Sequence, residues 1–165
     1  MSERENIFVA EAEKPSQFSR LLVDRFGLEY MQGEEPQAPE DLGLRGQALT
    51  ADGFVGLRVH PNAFVDPDAA TDEVQAFDAY PVQIDLWLPR PAVDEAQEAE
   101  ARAWFDGLVA ARPGLPMLLV HDVVLLRAAY LPGKPVHDFP TATSVDFPDI
   151  EAWLPWVIKT GTMAF

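Results

Sequence analysis

The sequence predicts an α+β domain: a largely antiparallel sheet with two main helices packed on one face, in the order β-α-β-β-β-α-β-β, followed by an irregular C-terminal segment. Three observations predict it. The central stretch Tyr80–Leu131 reads as a strand, a helix and a strand pair, and holds most of the obvious core residues. An Asp52-Gly53 pair stands between two earlier apolar runs and marks a hairpin. The connections are of hairpin length, which favours antiparallel pairing over crossovers. At 165 residues the chain is expected to form one domain, 1–165.

Asn6–Ala10 (NIFVA) makes a short first strand. Pro15 opens a helix running to about Phe26, because the first helical turn makes no use of the N–H that proline lacks. Phe18, Leu21, Leu22 and Phe26 form its apolar face, and Gly27 is placed to cap it. Residues 32–43 carry two prolines, two glycines and four acids, so they read as a loop. Leu44–Thr50 and Phe54–His60 are the hairpin strands. A long acidic connection then leads from His60 to Tyr80.

In the central strand Val82, Ile84, Leu86 and Leu88 share one face, while Gln83, Asp85 and Trp87 share the other. Pro89 and Pro91 end it, since proline cannot donate to a ladder. The next helix carries Asp94, Glu95, Glu98 and Glu100 in its first half, where acids complement the helix dipole. Ala101, Trp104, Phe105, Leu108 and Val109 recur at helical spacing, Arg112 lies in the last turn, and Pro113-Gly114 stops it. The apolar run that follows reads as strands Met117–Val120 and Val123–Ala129, turning at His121-Asp122. A single buried helix is the competing reading; the β-branched Val120, Val123 and Val124 favour strands. After Leu131 a segment with four prolines leaves room for a short strand at Ala142–Phe147, and Trp153 and Trp156 are expected to dock the C-terminal element on the core.

The charge balance narrows the function. Twelve Lys and Arg face 27 Asp and Glu, a net charge of −15. Nucleic-acid binding depends on neutralising phosphates, so it is excluded as an expectation, as is attraction to an anionic membrane surface. A basic protein partner is favoured, because opposite fields speed encounter; solubility is the blander explanation. The acids cluster in two runs without Lys or Arg. One, between Arg58 and Arg90, holds Asp66, Asp68, Asp72, Glu73, Asp78 and Asp85. The other, between Lys134 and Lys159, holds Asp138, Asp146, Asp149 and Glu151. The absence of cysteine excludes disulfides, thiol catalysis and zinc-thiolate sites. The N-terminal MSERENIFVAEAEK has no apolar signal-peptide core and no membrane-length run follows, so a cytoplasmic protein is expected.

No catalytic constellation emerges. His60, His121 and His137 have no second His or Cys at ligand spacing. His121-Asp122 and His137-Asp138 are sequence neighbours, and neighbours on a strand point to opposite faces. Asp66-Pro67-Asp68 begins like a calcium loop, but Ala70, Thr71 and Phe77 fill positions that need an oxygen ligand, glycine and a carboxylate. Nucleophile-elbow, phosphate-loop and dinucleotide glycine motifs are absent. The expectation is therefore a non-enzyme with no cofactor and no metal, carboxylate chemistry in a cleft being the alternative.

The amphipathic strand Val82–Leu88, the helix face Trp104–Val109, the apolar pair Met117–Arg127 and the late Trp153 together form a pattern. In this layout the chain resembles the small acidic immunity proteins of bacterial polymorphic toxin systems. The resemblance implies a single α+β domain that binds and neutralises a cognate toxin. An accessory or chaperone role in secretion would share the acidic surface. The residues expected to meet the partner are Asp66, Asp68, Asp72, Glu73 and Asp78, with Trp87 as an anchor where it is exposed, cover by the C-terminal segment being the alternative.

Overall fold

The computed structural model describes residues 4–11, 14–31, 40–65, 68–89 and 92–159. Eight strands form one sheet: β1 Glu5–Val9, β2 Glu29–Tyr30, β3 Leu42–Gln47, β4 Phe54–Pro61, β5 Val82–Trp87, β6 Met117–His121, β7 Leu125–Tyr130 and β8 His137–Asp138. Their spatial order is β2-β3-β4-β5-β1-β6-β7-β8, and every pairing is antiparallel. The helices are α1 Pro15–Phe26, α2 Asp94–Ala111 and the single turn α3 Ile150–Trp153. No described helix is long and apolar enough to cross a membrane.

The α+β class and the antiparallel sheet are as the sequence predicts. The first strand has the most central place, between β5 and β6, and all five of its residues are buried. Its composition suits that place: Ile7 and Val9 face one side, Phe8 the other, so both faces are apolar.

One face of the sheet is covered by helices. Phe18 and Leu22 of α1 and Ala101, Trp104, Phe105 and Leu108 of α2 pack on Ile7, Val9, Leu57, Ile84 and Leu86. The two helices meet where Phe26 lies 5.0 Å from the Trp104 ring. Gly27 ends α1 with φ of 70°, a left-handed turn that glycine adopts without strain. Glu100, expected as a dipole-facing surface acid, is instead fully buried. It accepts from the Leu49 and Thr50 amides (2.7 and 2.8 Å), the Thr50 hydroxyl (2.7 Å) and the Trp104 indole (2.8 Å). Burial would raise its pKa, but these donors outweigh that and hold it below the ordinary value. Glu100 thereby pins the β3–β4 loop to α2.

The other face is covered without long helices. Phe8, Leu118, Val120, Leu126 and Ala129 meet Val74, Ala76, Phe77 and Tyr80 from the connection after β4, and Phe139, Val145, Trp153 and Val157 from the C-terminal segment. Phe77 stacks on Phe8 at 4.5 Å. The irregular backbone is hydrogen-bonded from within: the Asn62 amide group donates to the carbonyls of Phe77 (3.0 Å) and Tyr80 (2.8 Å). Trp153 is fully buried and its indole donates to the Asp146 carbonyl at 3.1 Å. Trp156 stacks on the His137 ring at 3.8 Å.

Two local expectations are corrected. Val123 and Val124 do not begin a strand: Asp122 and Val123 have φ of 49° and 60°, and β7 begins at Leu125. The turn there is a tight one, with the Val124 amide bonded to the His121 carbonyl at 3.0 Å. The strand placed at Ala142–Phe147 is reduced to one bridge, Ser144 to Leu125, because Ala142 turns left-handed at φ 70° and breaks the extended run. The strands β2 and β8 are two residues each, too short for a period to show.

Candidate functional site

The two acidic runs, separated by more than forty residues in sequence, come together. Residues 74–80 of the first run and 145–157 at and after the second pack on the face without the long helices, while Asp138 turns to Arg102 of α2. The Ala76 amide donates to the Val145 carbonyl at 2.9 Å, and the Gln75 side chain donates to Asp146 at 2.8 Å. Asp68, Asp72 and Glu73 are exposed on the first of these joined segments, and Asp146 and Glu151 on the second. Asp78 is half-buried and accepts from the Gln75 amide at 3.0 Å, so its role is partly structural. Glu73 folds back to accept from the Ala70 amide at 3.1 Å. Asp66 lies outside the described residues. Asp146 and Glu151 belong to the second run, whose signal was its lack of Lys and Arg; only pairing of the two segments shows that it continues the first.

Trp87 sits elsewhere. The acidic connection enters β5 at Val82, and Trp87 ends the same strand, about 17 Å away at the rise of an extended chain. Its ring lies across Gly56 of β4, where a Cβ would come within 2.4 Å of the indole. Arg4 stands over the ring at 5.3 Å. Arg45 is opposite Gly56 on the next strand and reaches over Phe54 at 5.9 Å. The tryptophan is thus flanked by arginine and glycine rather than ringed by acids. The acid nearest along the strand on its face, Asp85, is turned inward.

Asp85 belongs to a closed network. It accepts from Asn6 (2.7 Å) and Gln83 (2.9 Å) and meets His60 Nε2 at 2.9 Å. The other ring nitrogen of His60 stands 2.7 Å from the Pro61 carbonyl. Both neighbours are acceptors, a setting that favours the doubly protonated ring. Burial would lower its pKa, but these bonds outweigh that and raise it. For Asp85 burial would raise the pKa, and the His60 and Gln83 bonds win and lower it. This pair holds structure and offers no free base.

A second polar group lines a cleft of about 240 Å³ between α2 and the β1-β6-β7-β8 half of the sheet. Glu5 of β1 and His121 of β6 are direct cross-strand partners, with Glu5 Oε1 2.6 Å from His121 Nδ1. Glu98 of α2 lies 3.6 Å from the same nitrogen and accepts from Arg127 at 3.3 Å. Arg102 is paired with Asp106 and with Asp138, which sits on β8 at the rim. Glu5 is buried; burial raises its pKa, and the His121 contact offsets this only in part. Sequence reasoning placed His121 in a turn beside Asp122. Its partner is Glu5, 116 positions away, and no spacing rule reaches that far.

An apolar cleft of about 420 Å³ lies between the β3–β4 loop and the start of α2, lined by Ala51, Phe54, Leu88 and Ala96 among others. Asp52 is the one titratable group among its described lining residues. No protein-family model matches the chain, and comparison with curated proteins and with solved structures found no match.

Proposed function

We propose that this chain is a non-catalytic, cytoplasmic protein-binding domain that neutralises a basic protein partner, in the manner of an immunity protein. The observation that carries the reading is the hydrogen-bonded joining of two acidic segments that lack Lys and Arg, with Asp68, Asp72 and Glu73 exposed on one and Asp146 and Glu151 on the other. A field of one sign, concentrated on one face, speeds encounter with an oppositely charged partner and selects against others. The connection that carries Asp72 and Glu73 is tied down by Asn62 and by the Ala76–Val145 bond, which lowers the ordering cost of binding.

Growth rescue tests it. Each open reading frame flanking the gene is expressed with and without this chain. One of them is expected to be toxic alone and tolerated in its presence. The triple variant Asp72→Lys, Glu73→Lys, Glu151→Lys should then weaken the complex by about 10- to 100-fold and flatten its salt dependence, with an unchanged unfolding midpoint. Absence of toxicity in the neighbours removes the inhibitor reading; rescue with unchanged affinity in the triple variant removes the acidic face.

A further inference from the structure

We propose that Glu5, Glu98 and His121 form a binding site for a divalent transition-metal ion of the zinc class, independent of the acidic face. Their ligand atoms, two carboxylate oxygens and one imidazole nitrogen, all lie within 4.8 Å of one another. A tetrahedral ion with bonds of ~2.0–2.2 Å holds its ligand atoms roughly 3.4 Å apart. The Glu98–His121 separation, 3.6 Å, is already close to that. The Glu5–His121 separation, 2.6 Å, needs to open by less than about 1 Å.

The ligands are pre-positioned. Glu5 and His121 face each other across the central β1–β6 ladder, and Glu98 projects from α2 above them. Glu5 is only 2% exposed, lines the cleft, and has His121 as its hydrogen-bond partner among the described residues. An ionised carboxylate can accept about four bonds, so Glu5 has capacity left to coordinate. Arg127 on Glu98 supplies the outer hydrogen bond that orients a ligating carboxylate. The cleft leaves space for a water or small anion as a fourth ligand. One imidazole and two carboxylates suit zinc, manganese or ferrous iron; magnesium and calcium prefer all-oxygen shells.

Proton and metal compete here. An ion requires an unprotonated ring nitrogen and ionised carboxylates, so binding weakens as pH falls. The other charged groups facing the site are Arg102 of α2, Arg127 of β7 and Asp138 of β8. Asp138 is answered by Arg102; Glu98 shares its Oε1 with Arg127, so Glu5 is the site carboxylate that faces the ion without an arginine partner among the described contacts.

Calorimetric titration with zinc chloride, repeated with manganese chloride, tests the proposal. Wild type should take up one equivalent of zinc, more tightly at pH 7.5 than at pH 6. His121→Gln keeps a donor for Glu5 but is a poor ligand, and should weaken binding at least about 30-fold. Glu98→Gln, at a half-exposed position, should weaken it about tenfold and decides the matter if the His121 variant fails to fold. The acidic-face triple variant should bind as wild type does. No saturable uptake overturns the site. So does uptake that survives both cleft substitutions and disappears in the triple variant, which marks an adventitious ion on surface acids.

Discussion

Each face of the sheet carries a buried core, and the two cores are built by different means. On one, Trp104 is fully buried on a long helix and its indole donates to Glu100. On the other, Trp153 is as fully buried on a single helical turn and its indole donates to a backbone carbonyl, that of Asp146. The first face buries a periodic stripe, so regular secondary structure satisfies the backbone. The second buries scattered residues, Val74, Phe77, Tyr80 and Val145, and its backbone is satisfied by Asn62 and by strand-to-loop bonds. A core does not need periodic cover; it needs buried apolar area and no orphaned polar groups. Among the described residues no buried side-chain polar atom lacks a partner.

The sharpest way to break this equivalence is to remove each tryptophan. Trp104→Ala and Trp153→Ala should each cost about 3–5 kcal/mol in urea unfolding, with a single transition in both. If Trp153→Ala leaves the main midpoint unchanged and only speeds hydrogen exchange in residues 68–80, the loop-covered face is a local appendage. The polar anchors come next. Glu100→Gln loses an acceptor for at least two donors and should cost about 2–3 kcal/mol, with faster exchange at the Leu49 and Thr50 amides. Asn62→Ala should cost about 1–3 kcal/mol, with faster exchange confined to the connection it holds.

Gly56→Ala probes the uncovered half of the second face. The new methyl would meet the Trp87 ring at 2.4 Å, so the ring must move. The expected cost is about 1–3 kcal/mol, read together with a shift in tryptophan emission; an unshifted spectrum would mean the ring does not rest on Gly56.

The smallest effect is on pH dependence. His60 has its folded pKa raised above 6.5, so its contribution is complete below pH 6.5 and is lost as pH rises through the folded value. Asp85 has its folded pKa lowered below 3.8, so its contribution is complete above pH 3.8 and is lost as pH falls through the folded value. The pair therefore contributes most between about pH 4 and 6.5. His60→Gln should flatten the decline above pH 6.5; an unaltered pH profile would remove the imidazolium assignment.

Much of the helix-covered face was legible in the residues. Pro15 and Gly27 bracket α1 because each meets a local backbone demand, and both bounds hold. The stripe from Ala101 to Leu108 is buried as its spacing requires. The loop-covered face was not legible, since its buried residues have no period to detect. Nor was the cleft: Glu5, Glu98 and His121 are brought together by sheet register and helix placement, not by sequence spacing. Val123 misled because β-branching favours extended backbone, whereas the tight β6–β7 turn places it at φ 60°, with its amide held by Asn6 at 2.8 Å.

Local chemistry alone decided the α+β class, both long helices, the alternating strand at Val82–Trp87 and the strong negative charge, because each rests on the period of apolar residues, on proline and glycine at chain bends, or on a count of ionised groups. Tertiary structure alone decided that the first strand is central, that two acidic runs form one surface, that Trp87 stands apart from them, and that His60 and His121 meet Asp85 and Glu5. Those outcomes depend on which strands pair and in what register, and pairing is settled by burial summed over the whole sheet rather than by any short stretch of chain.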